Sequence, residues 1–165
     1  MCRPVSSATR SAATTVGGVS GTAWAVNRVC PTGTCLLGPG KYWLVQLAGG
    51  ATGAPLPTPD ATPASPTNLA ATAGKVALTN SLTALVSPNG VGCSSSFATV
   101  MDRVGYGSTA NCFEGAPTTP NFSGNATSVS RKLGGCQDTD SNASDFTNTA
   151  PPVPRNNSTA ANICP

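Results

Sequence analysis

The sequence FATVMDRVGYGSTANCFEG, residues 97–115, decides the fold that this chain is expected to adopt. Residues 97–104 are rich in β-branched, apolar and aromatic side chains and favour a strand, which a Gly-Tyr-Gly corner at 105–107 follows. The rest of the chain has the same character, with short apolar runs separated by Gly, Pro, Asn and Ser and no helix formers at helical spacing. This pattern predicts an all-β sandwich or barrel.

The composition limits both the architecture and the partners. A length of 165 residues suits one domain with a core. Only 9% of residues are charged, and a net charge of +3 without a dense basic cluster gives no strong nucleic-acid signal. No apolar run approaches the roughly 18 residues of a membrane span. Seven cysteines favour an ordered chain in an oxidising compartment, so we expect a secreted or cell-surface protein, although no signal peptide is visible.

Further strands are expected on both sides of the central stretch. Residues 75–79 and 82–85 flank Asn80-Ser81 and predict a hairpin. The run KYWLVQL at 41–47 predicts the strongest strand of the chain, and 21–27 predicts another, with Trp24 pointing inward. Downstream, residues 127–132 predict a short strand.

The domain boundary is expected near residue 20. Residues 1–20 are rich in Ser, Thr and Ala and predict an irregular N-terminal arm, whereas 21–165 form the domain. Within it, five prolines between residues 48 and 67 predict a long surface loop, because proline removes backbone donors.

The cysteines predict three disulfides between loops that are near in sequence. The CPTGTC segment suits a staple from Cys30 to Cys35, because no second thiol pair or histidine completes a zinc site. Cys2 is left over, free or available to link two chains. The other two predicted pairs are Cys93–Cys112 and Cys136–Cys164.

The acidic residues and the absence of histidine bear on catalysis. Without histidine, Ser-His-Asp and Cys-His mechanisms are excluded. Asp102 and Glu114 flank the Gly-Tyr-Gly corner and could face each other as a glycosidase pair does, but a carboxylate that caps the turn explains them more simply. We therefore expect no enzyme.

A polar cluster near the C-terminus suggests one cofactor, calcium. Oxygen-bearing side chains on alternate residues are typical of calcium loops, but the loop glycine and closing glutamate of an EF-hand are absent. Asx turns that lead into Phe146 explain the same residues without a metal. The candidate ligands are Asp138, Asp140, Asn142 and Asp145.

Several segments together resemble bacterial secreted lamin-tail domains. They include MDRVGYGSTANCFEG at 101–115, NATSVSRKLGGCQDTDSNASDF at 125–146 and PPVPRNNS at 151–158. Upstream segments that fit the same family, in the same order, are GTAWAV, LGPGKYWLVQ, LPTPDAT and ATAGKVALTNS. The resemblance implies an immunoglobulin-like β-sandwich, here with long Pro/Gly-rich loops and disulfides. It also implies an interaction module without catalytic residues of its own.

The sequence departs from this family at its front. MCRPVSSATRSAATT stands where family members have their opening strands, so we expect those strands to be missing or replaced. A gene start that lies upstream explains this. The alternative is that another chain fills the gap by β-strand addition.

The function expected from these observations is a class rather than an activity. We expect a non-catalytic extracellular binding, adhesion or assembly module. Its partner would be a protein, a cell-surface or matrix component, or a second copy joined by strand addition. The alternatives are an accessory domain of a secreted nuclease, phosphatase or esterase, and a self-assembling structural subunit that uses an open sheet edge.

Overall fold

The computed structural model describes residues 13–17, 24–30, 35–49, 53–85, 98–115 and 126–165, the first range by its backbone alone. This part of the chain is all-β, with one four-residue helix and one 3₁₀ turn at Leu133–Gly135. The elements are β1 (Ala13–Gly17), β2 (Trp24–Arg28), β3 (Gly74–Thr79), β4 (Val100–Tyr106), β5 (Ser128–Arg131), helix α1 (Asn142–Asp145) and β6 (Phe146–Thr149).

The described strands form two antiparallel sheets. The larger has the strand order β2-β1-β3-β4, and the smaller pairs β5 with β6. The strands predicted at 21–27, 97–104 and 127–132 correspond to β2, β4 and β5. β4 begins later than predicted and continues through Gly105 and Tyr106, so the chain turns only at Gly107.

β1 corrects the boundary that we predicted at residue 20. It lies within the predicted irregular arm, yet it is an interior strand that pairs with β2 on one side and β3 on the other. The Thr-Thr-Val run at 14–16 has the β-branched composition that strands favour. Because this run is short and lies in a segment rich in Ser and Ala, the sequence alone does not distinguish it as a strand.

Among the side chains that the structure describes, the core of the larger sheet is centred on Trp24. Trp24 points inward as predicted and is 5% exposed, packed with Ala77, Leu85 and Cys112. Lys75 is also buried; its ammonium donates to Asn111 Oδ1 at 3.0 Å and lies 4.7 Å from the centroid of the Trp24 ring. Burial lowers the pKa of Lys75. A hydrogen bond and a cation–π contact thus compensate the burial of this charge.

The hairpin predicted around Asn80-Ser81 is wrong. β3 forms, but residues 82–85 are not a strand, because both edges of β3 are already occupied by β1 and β4. The Thr79 hydroxyl donates to the Ser81 carbonyl at 2.7 Å, and the Thr83 amide donates to Ser81 Oγ at 3.1 Å. These local bonds turn the chain away from the sheet.

The strand predicted at 41–47 is also wrong. This segment makes only isolated parallel bridges, Val45 to Ala61 and Ala48 to Asn68, with the proline-rich loop. The Gln46 amide donates to the Ala61 carbonyl at 2.9 Å, and the Ala61 amide donates to the Leu44 carbonyl at 3.1 Å. A longer ladder cannot form, because prolines in the partner segment lack the N–H groups that it needs.

Two disulfides join described residues, Cys30 to Cys35 and Cys136 to Cys164, and both are pairs predicted from the spacing. Cys112 is also disulfide-bonded. Its predicted partner Cys93 and the remaining Cys2 lie outside the described residues. None of the helices that the structure describes has the length and hydropathy that crossing a bilayer requires.

Candidate functional site

The C-terminal tail, residues 150–165, contributes one wall of a concave site among the described residues. The Cys136–Cys164 disulfide fixes the end of the tail beside the 3₁₀ turn. From there the tail runs alongside residues 39–42, which precede the proline-rich loop. We call the space between these segments the tail pocket. It is a cavity of about 670 Å³, within the size range of small-molecule sites.

Polar contacts hold the tail in this position. The Asn162 amide donates to the Gly40 carbonyl at 2.9 Å, and its side chain donates to the Leu133 carbonyl at 3.0 Å. The Lys41 ammonium donates to the carbonyls of Thr159 at 3.1 Å and Asn157 at 3.4 Å. Because these partners are far apart in sequence, the tail closes the pocket through tertiary contacts.

Gly40 is required for this close approach. It has φ of +70°, a conformation that side chains disfavour, and a Cβ at this position would lie 2.5 Å from the Asn162 carbonyl oxygen. The tail therefore lies directly on the Gly40 backbone, and only glycine fits the position without a shift.

Arg155 and Tyr42 form one wall of the tail pocket. The Arg155 guanidinium stacks 4.2 Å from the centroid of the Tyr42 ring and donates to the Tyr42 hydroxyl at 3.0 Å. The same hydroxyl donates to the Gly134 carbonyl at 3.1 Å. Stacking fixes the plane of the guanidinium, so that its remaining N–H groups have a defined direction.

The charges around the tail pocket are unbalanced. Lys41, Arg131 and Arg155 line it, and no Asp or Glu side chain is among its lining residues. Arg131 is neutralised by carboxylates outside the pocket. Among the described residues, no carboxylate lies within ion-pair distance of Lys41 or Arg155. The pocket therefore favours an anion over a cation.

Arg131 joins the two sheets. From β5 it pairs with Asp102 of β4 at 2.7 Å and with Asp138 at 2.9 Å, and it lies 4.6 Å from the centroid of the Phe146 ring. Asp145 is 3.9 Å away. The arginine side chain is 14% exposed, so these pairs are screened less than surface pairs. Arg131 thus has a structural role.

The four predicted calcium ligands do not converge on one point. Asp145 is buried and accepts bonds from the Thr139 amide at 2.8 Å and the Thr139 hydroxyl at 2.7 Å. Although burial raises its pKa, these bonds outweigh that effect and the pKa of Asp145 is lowered. Asp138 is paired with Arg131. The predicted alternative, turns that lead into Phe146, describes Asp145 better than the calcium loop does.

Asn142 is likewise occupied by the protein itself. It is fully buried, its Oδ1 accepts from the amides of Gly105 at 2.9 Å and Glu114 at 3.1 Å, and its Nδ2 donates to the Arg103 carbonyl at 3.1 Å. The side chain thus binds backbone groups of β4 and of the segment after the Gly-Tyr-Gly corner. It is a structural bridge rather than a metal ligand.

A different acidic group does converge. The carboxylates of Glu114, Asp138 and Asp140 lie within 4.8 Å of one another. Burial, with the charges of Asp102 and Asp138, raises the pKa of Glu114 to about 7. These three carboxylates could hold a cation, but Asp138 and Asp140 are exposed and such groups are common without one. The sequence indicated Asp138 and Asp140 as metal ligands, but it indicated Glu114 only as a possible partner of Asp102 or as a cap of the turn.

Asp102 and Glu114 are near enough for the Asp102 charge to affect the pKa of Glu114. Burial also raises the pKa of Asp102, while the Arg131 charge opposes the rise. The ion pair between Asp102 and Arg131 commits that carboxylate to the contact between the two sheets. This arrangement does not resemble two carboxylates that face each other across a cleft.

Sequence reasoning missed the residues of the tail pocket. Lys41 and Tyr42 lie in the run predicted as a strand, and Arg155 lies in the tail, 113 positions from Tyr42. No local spacing links them. The only signal was the proline-rich, cysteine-terminated tail, whose predicted disulfide to Cys136 places it near the 3₁₀ turn.

Comparisons with known proteins identify no family. No family model matches the chain, and no curated protein or solved structure does either.

Proposed function

We propose that the chain is a non-catalytic extracellular binding module of the lamin-tail type, with an immunoglobulin-like sandwich. The resemblance of the segments around residues 21–165 supports the family. The all-β architecture, the two sheets linked by Arg131 and the disulfides are consistent with such a module. Its partner is a component of a cell surface or an extracellular matrix.

The tail pocket is the observation that carries this proposal. It is preformed, because a disulfide and several hydrogen bonds hold its walls, and preformed walls lower the entropic cost of binding. Its lining includes cations and an aromatic ring but lacks a nucleophile paired with a base. Such a site is suited to hold a ligand rather than to transform it.

Binding and turnover are tested together on the purified, unreduced protein. Immobilised protein is exposed to a panel of surface polysaccharides and matrix proteins, and the soluble protein is incubated with nucleic acid, phosphoester, ester and glycan substrates. We expect saturable binding to at least one surface component and recovery of every substrate unchanged. Turnover above that of a mock purification would contradict the proposal. Activity only beside a partner enzyme would favour the accessory domain of a secreted hydrolase.

A second candidate is a structural subunit that assembles through a sheet edge. β2 lies at the edge of the larger sheet, and Ala25 and Val26 on it are exposed. The opposite edge strand, β4, is partly occupied by the Asn142 side chain. An added strand would therefore pair with β2.

Sedimentation velocity over a hundredfold range of concentration tests this candidate. Assembly through β2 predicts an oligomer that Val26→Lys dissociates, because a charge on an edge strand opposes strand addition. Thr147→Lys, on an exposed position of β6, is the matched control. A monomer at every concentration would exclude the assembly.

A further inference from the structure

We infer that the tail pocket binds a carboxylate-bearing sugar, with the carboxylate on Arg155. This inference deepens the proposed function and rests on it, since it names the chemistry that the binding module recognises.

Arg155 is the anion-binding group of the pocket. Its contacts with Tyr42 use one of its N–H donors and one face, and no carboxylate pairs with it among the described residues. A guanidinium of fixed orientation matches the two oxygens of a carboxylate. Lys41 adds a second positive charge to the pocket, although two backbone carbonyls already accept hydrogen bonds from its ammonium.

The charges of these cations indicate the charge of the ligand. Arg131 also lines the pocket, but Asp102 and Asp138 offset its charge. The pocket therefore offers one uncommitted guanidinium and one partly committed ammonium. Because carbonyl oxygens are neutral, Lys41 keeps its charge, and together with Arg155 it balances a ligand that has two carboxylates, such as an acidic disaccharide.

The cavity holds more than a charged group. Its volume of about 670 Å³ leaves room for a ligand body beside the carboxylate. The walls combine apolar surface from Pro39 and Ile163 with the backbone of Gly134 and Gly135. A sugar ring has apolar C–H faces and a rim of hydroxyl groups, so it suits walls that are apolar in one part and polar in another.

Isothermal titration calorimetry on the unreduced protein tests the inference, with digalacturonate as the probe and the matching neutral galactose disaccharide as its control. We expect digalacturonate to bind in the millimolar range or more tightly, and the neutral disaccharide at least tenfold more weakly. Arg155→Gln should weaken digalacturonate binding at least tenfold. Arg28→Gln, which removes an exposed arginine of β2 and makes the same change in net charge, should alter it less than twofold.

Two further measurements keep the result interpretable. Arg155→Lys retains the charge without the planar fork and should bind with intermediate affinity, while unchanged melting temperatures of the variants show that the tail is still docked. Equal binding of both disaccharides, full binding by Arg155→Gln, or preference for inorganic phosphate or benzoate over digalacturonate would overturn the inference. If Arg155→Gln still binds a surface component found in the panel above, the inference fails and the binding module stands. If neither the unaltered protein nor any variant binds a surface component, the proposed function fails as well.

Discussion

Asn142 is the residue on which most of the fold near the Gly-Tyr-Gly corner depends. Its amide satisfies the backbone amides of Gly105 and Glu114 and the carbonyl of Arg103, all of which lie at or near the edge of β4. A buried backbone group without a partner is costly, so one side chain determines whether these three groups are satisfied.

Asn142→Ala should therefore lower the free energy of unfolding by about 2–4 kcal/mol, because it leaves buried donors and an acceptor without partners. Ser144→Ala is the matched control, since Ser144 is exposed in the same helix and its side chain takes part in none of these bonds; it should change stability by less than about 0.5 kcal/mol. Urea unfolding measures both. A loss for Asn142→Ala as small as that of the control would show that the bridge does not stabilise the fold.

Glu114 makes the stability of the fold depend on pH, and the raised pKa of its carboxyl determines the direction of this dependence. Its pKa is raised from 4.5 to about 7, chiefly by burial. Between these values the folded protein keeps a proton that the unfolded chain has released, so the contribution of Glu114 to stability is lost as the pH rises through about 7. Its charged neighbours are Asp102, Asp138, Asp140, Arg103 and Arg131.

The difference between Glu114→Gln and the unaltered protein isolates this effect. Asp102, whose pKa is also raised, and Asp145, whose pKa is lowered, are present in both proteins and contribute similarly to each. We expect the melting temperature of the variant to exceed that of the unaltered protein at pH 8, and the two to approach each other at pH 5. A difference that is independent of pH would contradict the raised pKa.

At the scale of elements, the sequence predicts strands well where their pattern is local. β2, β4 and β5 were predicted within a few residues, because each has β-branched or aromatic residues between turn signals. The run at 41–47 has the same composition but lies against a proline-rich partner that offers few backbone donors. β1 was missed because a short Thr-Thr-Val run becomes a strand only through its two neighbours.

The candidate site was less predictable than the strands, for a related reason. The two disulfides between described residues connect cysteines near in sequence, so spacing alone indicated them. The tail pocket instead depends on Gly40, Lys41 and Tyr42 meeting the tail across more than a hundred residues. Side-chain pairing at that separation has no local sequence signal.

Gly40→Ala tests the docking of the tail. The new Cβ would lie 2.5 Å from the Asn162 carbonyl oxygen, and the backbone there has positive φ, so we expect a loss of about 1–3 kcal/mol. Gly38→Ala is the matched control, because its Cβ would make only an ordinary contact, 3.9 Å from Lys41 Cγ. Thermal unfolding measures the stability of both variants, and limited proteolysis measures whether the tail stays docked in each. Equal behaviour of the two variants would show that the tail does not depend on this contact.

The two disulfides should contribute unequally. Cys136–Cys164 closes a loop of sequence separation 28 and Cys30–Cys35 one of separation 5. Chain entropy gives about 3–4 kcal/mol for the longer loop and about 2 kcal/mol for the shorter one. Unfolding of the Cys136→Ser/Cys164→Ser and Cys30→Ser/Cys35→Ser proteins should show the larger loss for the first pair. A larger loss for the second pair would mean that the tail is not held as described.

At the scale of the whole molecule, both disulfides and polar contacts stabilise the fold. Among the described side chains, the apolar core of the larger sheet around Trp24 is small, and buried polar contacts such as those of Lys75 and Arg131, together with the disulfides, also stabilise the fold. Arg131 lines the tail pocket but is paired with Asp102 and Asp138, whereas Arg155 and Lys41 have no carboxylate partner among the described residues. These uncompensated cations are the basis of the proposed anion binding in the tail pocket.

The most direct measurement of this claim is a titration of ¹⁵N-labelled, unreduced protein with digalacturonate, followed by nuclear magnetic resonance of protein and ligand together. We predict saturable shifts that cluster at the Arg155 side chain and at the amides of residues 40–42, 134–136 and 162–164, while the ligand signals stay chemically unchanged. Shifts that centre instead on Glu114 and Asp102, or consumption of the disaccharide, would contradict it.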